Sequence, residues 1–393
     1  MTTPHTIQAE YDLIFAGGGT AACLTAGRLA TAFPNLSILI MPKWISKDGR
    51  RSDIPHNYIY NNSSKELFVC DGTLVNRVIV EDGSPHSCRE IVVVGAGTLG
   101  SPLILERSGL GKKDVLEKAG VAVVAEIPGV GENYQNHASL YAPYIADPEL
   151  RNMNNLFRGD PETWSQAHKD YIDGGIKMRP HPEELPEQPL IWASAVAGSL
   201  GDLSSLPNLN FISSVAFLGY PASRGRLHIS TSDPLAAPDF EPGFLSNPAD
   251  VAALRWAYKK GREINRRLPS FRGVFFPGHP QFPEVSAAAV EETTPVPLDA
   301  PKIVWSAEDD KAIDVFLRQV VGTSWHSAGT CAMKPFNKGG VVDSKLNIYS
   351  VKKLKIVDIY PALEHRLQNT YSTAIAVGEK AALIIAEELG GSV

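Results

Sequence analysis

The chain has 393 residues, a formal charge of −6 and an apolar fraction of 44%. That length allows two domains with sizeable cores, and the acidic balance gives no footprint for nucleic acid. No apolar run reaches the roughly 18 residues of a membrane span, so no membrane partner is expected.

Tyr11–Ala16 is a short apolar run of the kind buried in a parallel sheet. Gly17-Gly18-Gly19 breaks it, and Ala21–Thr31, rich in Ala and Leu, suits a helix. Leu36–Met41 reads as the next buried strand, completing one βαβ start. Glu66–Val80 reads as two strands joined by a turn at Asp71-Gly72. Glu90–Val94 is a further buried strand, followed by Gly95-Ala96-Gly97 and a helical stretch at Ser101–Ser108.

Residues 138–310 differ in composition, with short alternating segments such as Arg226–Thr231. They are expected to form an α+β substrate domain, an antiparallel sheet plus helices, one helix covering Asp250–Leu268. A helix at 309–322, the strand Lys355–Val357 and a closing helix at 371–389 return the chain to its first domain. The expected division is therefore 1–137, 138–310 and 311–393, in an α/β fold with a Rossmann-like dinucleotide-binding domain.

Gly17-Gly18-Gly19-Thr20-Ala21-Ala22 fits G-x-G-x-x-G/A between a strand and a helix. Gly17 permits the tight turn, Gly19 lets a pyrophosphate approach the backbone, and Ala22 is small enough for close helix–strand packing. Thr20 and Ala21 open the helix, whose amide donors favour phosphate. A second match, Gly95–Gly100, is either a nicotinamide site or a strand end passing beneath the same cofactor. The nicotinamide reading lacks an acidic ribose partner about 20 residues on.

His326, in TSWHSAGTC, is a candidate general base because its ordinary pKa lies near neutrality; the alternative is a structural histidine. Asn369 precedes a helix whose first turn holds Thr370, Ser372 and Thr373. Asn369 is either an oxygen-binding partner for a substrate alcohol or an ordinary N-cap. Asp358 ends the strand KIVD, where open α/β sheets place ligand contacts; a turn or cap role stands beside that one. His365 reads as part of a solvated turn. Cys23, Cys70, Cys88 and Cys331 carry no Cys-x-x-Cys spacing, so neither a metal site nor a disulfide framework is expected. The first residues lack a signal-peptide pattern and the last lack an SKL address, which places the expected location inside the cell, in the cytoplasm.

Several stretches together resemble the glucose–methanol–choline (GMC) oxidoreductases, and within them the alcohol oxidase branch. They are YDLIFAGGGTAACLTAGRLA, GRRSDIPHNYIYN, VNRVIVEDG, GTLGSPLILERSGLG, IPGVGENYQNH, YPASRGRLHISTSDPLAAPDFEPGF, WHSAGTCAM, GGVVDSKLNIY and NTYSTAIAVGEKAA. The resemblance implies FAD as cofactor, a small-molecule alcohol as substrate, hydride transfer to flavin and, in the oxidases, O2 as acceptor. It implies a setting in specialised metabolism. It implies that His326 and Asn369 are the active-site pair and that Gly17 and Gly19 meet the phosphates. Val75 then meets the adenine, and Asp358, with Thr370 beyond it, borders the flavin. Three departures stand out. Pro42 occupies the place of the family's ribose-binding Glu; a long segment that includes the flavin-covering loop is missing after Met41; and Asn136 replaces the Asp of the QDH motif. The losses leave a second possibility, a GMC fold that no longer binds FAD.

Overall fold

The computed structural model describes residues 10–41, 58–59, 61–70, 72–81, 86–150, 191–199, 207–359 and 370–393. The chain forms two compact units. Unit 1 gathers Met1–Asn136, Arg224–Gly243 and Trp325–Val393; unit 2 holds His137–Ser223 and Phe244–Ser324.

Unit 1 is built on a five-stranded parallel sheet. Strands β1 (Leu13–Ala16), β2 (Ile38–Met41), β3 (Leu67–Val69) and β4 (His86–Val94) join a return strand, Val351–Ile356. The order is β3-β2-β1-β4-return, with Leu13 opposite both Ile38 and Ile91, and Leu354 opposite Val92. The chain steps outward from β1 to β3, then crosses back to β4. The order therefore reverses between β1 and β4, the place where open α/β sheets bind ligands. Leu13, Phe15, Ile38, Ile40, Val93 and Val94 are buried, which accounts for the unbroken apolar runs.

Helix α1 (Thr20–Ala32) follows β1, and α2 (Gly97–Arg107) follows β4. Small residues bring α1 close to its neighbours. Ala22 Cβ sits where a side chain on Gly95 would fall, and Gly378 lies against Ala21 and Leu24. Gly378 belongs to the C-terminal helix, Thr370–Glu388. That helix runs parallel to α1, with Gly378 beside Ala21 and Gly391, just past its end, beside Phe33. Eight residues separate Thr370 from Gly378, so the helix begins about 12 Å beyond Ala21, past the amino end of α1.

The expected hairpin at Glu66–Val80 does not form. Only Leu67–Val69 joins the sheet, parallel to β2; residues 72–80 form no strand, and Asp71 lies outside the described residues. Side chains at the end of α2 replace the ladder. Arg107 Nε donates to Asn76 O at 2.8 Å, and Val78 N–H donates to Ser108 Oγ at 2.8 Å.

Unit 2 carries an antiparallel sheet of β5 (Ala138–Ala146), β6 (Ile191–Val196), β7 (Phe211–Leu218), β8 (Phe271–Val274) and β9 (Gly322–Thr323). The order is β8-β5-β7-β6, with β9 also paired to β5. Alternate β5 residues, Ala138, Leu140, Ala142, Tyr144 and Ala146, enter a core shared with α3 (Pro248–Asn265) and α4 (Ala307–Val320). Asn247 and Ser306 cap those helices, the latter in a capping box with Asp309.

The unit boundaries differ from a division at 137/138 and 310/311 in two places. Residues 224–243 belong to unit 1, because Leu227 N–H donates to Gly131 O and buried Glu106 accepts the Ile229 N–H at 2.7 Å. Residues 311–324 belong to unit 2, because Ile313, Phe316 and Leu317 fill its core.

Candidate active site

The turn after β1 is a cradle without side chains. Gly17 has φ +126°, and a Cβ there would lie 2.4 Å from Gly95 O. Gly95 N–H in turn donates to Ala16 O at 3.0 Å, so the ends of β1 and β4 are in direct contact. Gly19 caps α1 in an extended conformation with no side-chain bond to the first turn and no acidic residue in it. The first amides of α1 therefore keep their donor capacity and the positive end of the helix dipole.

A cavity of about 350 Å3 opens beside this turn. Gly17, Gly18 and Gly19 form one side, Thr73, Leu74 and Val75 another, and α2 a third. Gly17, Gly19 and Val75 are thus brought together. Thr20 and Ala21 do not line the cavity; they form the first turn of α1 behind it, Ala21 being buried.

The first turn of α2 connects the remaining candidates. Gly97 N–H donates to Asp358 Oδ1 at 2.9 Å. Asp358 Oδ2 is buried and makes no close hydrogen bond to the described residues. Burial pushes the Asp358 carboxyl up to about 6, against the lowering pull of Ser101 and the Gly97 amide. One residue further on, Thr98 Oγ1 donates to Ser327 O at 2.9 Å, and Thr98 O accepts from Thr330 Oγ1 at 2.6 Å. The loop carrying His326 is therefore fastened to the helix that walls the cavity.

That loop has a second attachment. Gln135 and Ala328 exchange both backbone hydrogen bonds, and His326 N–H donates to Asn136 Oδ1 at 3.1 Å. Asn136 Nδ2 donates to Tyr134 Oη at 3.1 Å and reaches Ser327 Oγ at 3.3 Å, while those two hydroxyls lie 2.9 Å apart. Gly329, at φ +106°, passes so close to Asn133 O that a Cβ would lie 2.3 Å from it. Trp325 takes a left-handed backbone, φ 60°, and is 75% exposed. His326 itself is half-buried, and desolvation lowers its pKa. The imidazole is neutral at pH 7 and has a lone pair for a proton. Asn369 lies outside the described residues; Thr370 opens the C-terminal helix.

Two features were not singled out from sequence. The face of α2 toward the cavity ends in Arg107, and Asn136 holds the His326 backbone. The first was visible as apolar i, i+3, i+4 spacing in GTLGSPLILER. The second depends on a contact across 190 residues of chain, which no local signal reports.

The GMC oxidoreductase models match residues 33–139 with their N-terminal part and 221–378 with their C-terminal part. The alcohol oxidase of Pichia angusta is 33% identical over 448 positions, covering 89% of this chain and 68% of that protein. The chain belongs to the GMC oxidoreductase family. Alcohol oxidase 1 of Komagataella phaffii is 34% identical with the same coverage. Among solved structures, an FAD-dependent oxidoreductase from Chaetomium thermophilum superposes with a TM-score of 0.69 at 16% identity, covering 98% of this chain and all of that one, so the fold is shared. The GMC cofactor is FAD, and the chain is an FAD-dependent oxidoreductase of the alcohol oxidase or dehydrogenase type. Its aligned part is about 350 residues, 89% of 393, against 448 positions, so within the matched span about 100 positions of the Pichia enzyme have no counterpart.

The described residues fit the adenosine diphosphate half of FAD. The cradle at Gly17 excludes any side chain, the amides of α1 are uncapped, and the cavity leads away from both. No helix among the described residues is long and apolar enough to cross a membrane.

Proposed function

We propose that the protein oxidises a primary or related alcohol to the aldehyde, with O2 as the final acceptor, in specialised metabolism. The supporting observation is the first turn of α2. It touches Asp358 on one side and the His326 loop on the other, and its helix walls the cavity beside Gly17–Gly19. FAD, when bound, supplies the hydride acceptor.

The roles of the side chains follow from their chemistry. Gly17, Gly19 and the α1 amides of Thr20 and Ala21 receive the pyrophosphate. Val75 borders the adenine. His326 takes the hydroxyl proton of the alcohol onto an imidazole nitrogen, for which a neutral ring is required. Asn369 donates to the same oxygen and holds the carbinol carbon in line. Thr370 and the positive end of its helix favour the negative charge that arrives with the hydride. Asp358 braces Gly97. Unit 2, with its antiparallel sheet, supplies the substrate-binding domain.

The test is spectroscopic first. The purified protein, reconstituted with FAD, should show bound-flavin absorption and bleach anaerobically with a primary alcohol. Absence of flavin bands rejects the reading. The shortened span and Pro42 favour a second reading, a GMC fold without FAD. Under that reading, FAD leaves the melting temperature unchanged.

A further inference from the structure

One face of α2 walls the cavity along its whole length. Ala96, Leu99, Gly100, Leu103, Ile104 and Arg107 follow an i, i+3, i+4 spacing and form a single stripe. From Gly97 to Arg107 the helix rises about 15 Å. The stripe changes character along that length: small residues at the amino end of the helix, apolar ones in the middle, one cation at the end. Leu99 and Leu74, which both line the cavity, are 49% and 44% exposed. Apolar side chains left open inside a concave site mark a binding surface.

Arg107 is 9% exposed and is the one charged side chain among the described residues of the wall. Its Nε donates to Asn76 O at 2.8 Å, which fixes the guanidinium plane. Its two Nη groups make no hydrogen bond to the described residues. Nη donors left open on a cavity wall can meet an acceptor bound there.

We propose that Arg107 recognises the base of the bound nucleotide, donating from Nη to a ring nitrogen of adenine. The cavity is then a self-standing adenine-nucleotide site that accepts ADP without a flavin. This rests on the FAD reading above and adds the polarity of the site. The pyrophosphate lies at Gly17–Gly19, the adenine is covered by the leucines, and the guanidinium closes the end.

Calorimetric titration of the full chain, freed of flavin, tests this with ADP, UDP, pyrophosphate and 2′-phospho-ADP. The wild type should bind ADP at least about tenfold more tightly than UDP. Arg107→Met should weaken ADP by about tenfold to a hundredfold, the loss of one charged hydrogen bond, and leave pyrophosphate unchanged. Equal binding of ADP and UDP by the wild type overturns the proposal even if the variant fails to fold. So does undiminished ADP binding by a folded Arg107→Met, or an equal loss of pyrophosphate. A preference for 2′-phospho-ADP that disappears in the variant also overturns it, assigning the guanidinium to a ribose phosphate. A wild type that binds neither ADP nor FAD overturns this proposal and the FAD reading together. Retained FAD with ADP affinity indifferent to Arg107 overturns this one alone.

Discussion

The bend at Gly17 and the loop at 325–330 both use glycines at positive φ, and the two are held by different means. At Gly17 the neighbours are backbone: Gly95 O, Gly95 C and Ala96 N all lie within 2.6 Å of where a Cβ would be. At 325–330 backbone pairing of Ala328 with Gln135 and the close approach of Gly329 to Asn133 O are joined by side-chain bonds from Asn136, Thr98 and Thr330. A backbone-to-backbone contact tolerates no added atom. A side-chain network can be altered one bond at a time. The bend at Gly17 is therefore brittle, whereas the His326 loop, rigid at Gly329, is adjustable at its side-chain fasteners.

The largest effect is expected at the cradle. Gly17→Ala adds a carbon inside van der Waals contact and imposes an unfavourable φ, together about 2–6 kcal/mol. Flavin content after FAD reconstitution should fall to near zero. Full retention would show that the turn is not a phosphate cradle. His326→Ala comes next and touches only chemistry, since the loop is held by its backbone and by other side chains. Turnover should fall about 10²- to 10⁴-fold with flavin content unchanged. A drop of less than tenfold would remove His326 from the role of base.

Asn136→Ala tests the adjustable part. It leaves His326 N–H without its acceptor and removes the donor to Tyr134 Oη, which should cost about 1–3 kcal/mol of stability. Turnover should fall less than in His326→Ala, because the imidazole is displaced but present. Urea unfolding and steady-state kinetics on one preparation check both. An unchanged kcat would mean that the loop needs only its other fasteners.

The centre of the parallel sheet was readable because β1, β2 and the end of β4 are apolar and the turn after β1 carries glycines. The turn was legible for a steric reason: Gly17 and Ala22 occupy places where larger side chains collide, as Ala22 against Gly95 shows. The strand at 73–80 was misread because β-like composition does not reveal the partner; here helix side chains took the ladder's place. That residues 224–243 pack in unit 1 is not visible locally, because their partners, Gly131 and Glu106, lie about 100 residues upstream. His326 is a candidate by residue type, and its fastening to Asn136 is not legible, since that depends on tertiary proximity alone.

The smallest expected effect sharpens the comparison most. Asn136→Asp restores the residue that the family carries in this motif. The carboxylate still accepts His326 N–H, and the Tyr134 and Ser327 hydroxyls can rotate to donate to it, so stability should change by no more than about 1 kcal/mol. Electrostatics changes more than packing does. In the wild type, desolvation lowers the His326 pKa, so the proton-accepting form persists below the ordinary histidine value of about 6.5. A nearby negative charge favours the imidazolium and raises that pKa. The acidic limb of the kcat/KM profile should therefore move to higher pH in Asn136→Asp, while the plateau above pH 8 stays where it was. A limb that keeps its position would mean the titrating group is not His326. The carboxyl of Asp358, raised to about 6, would then be the group to examine.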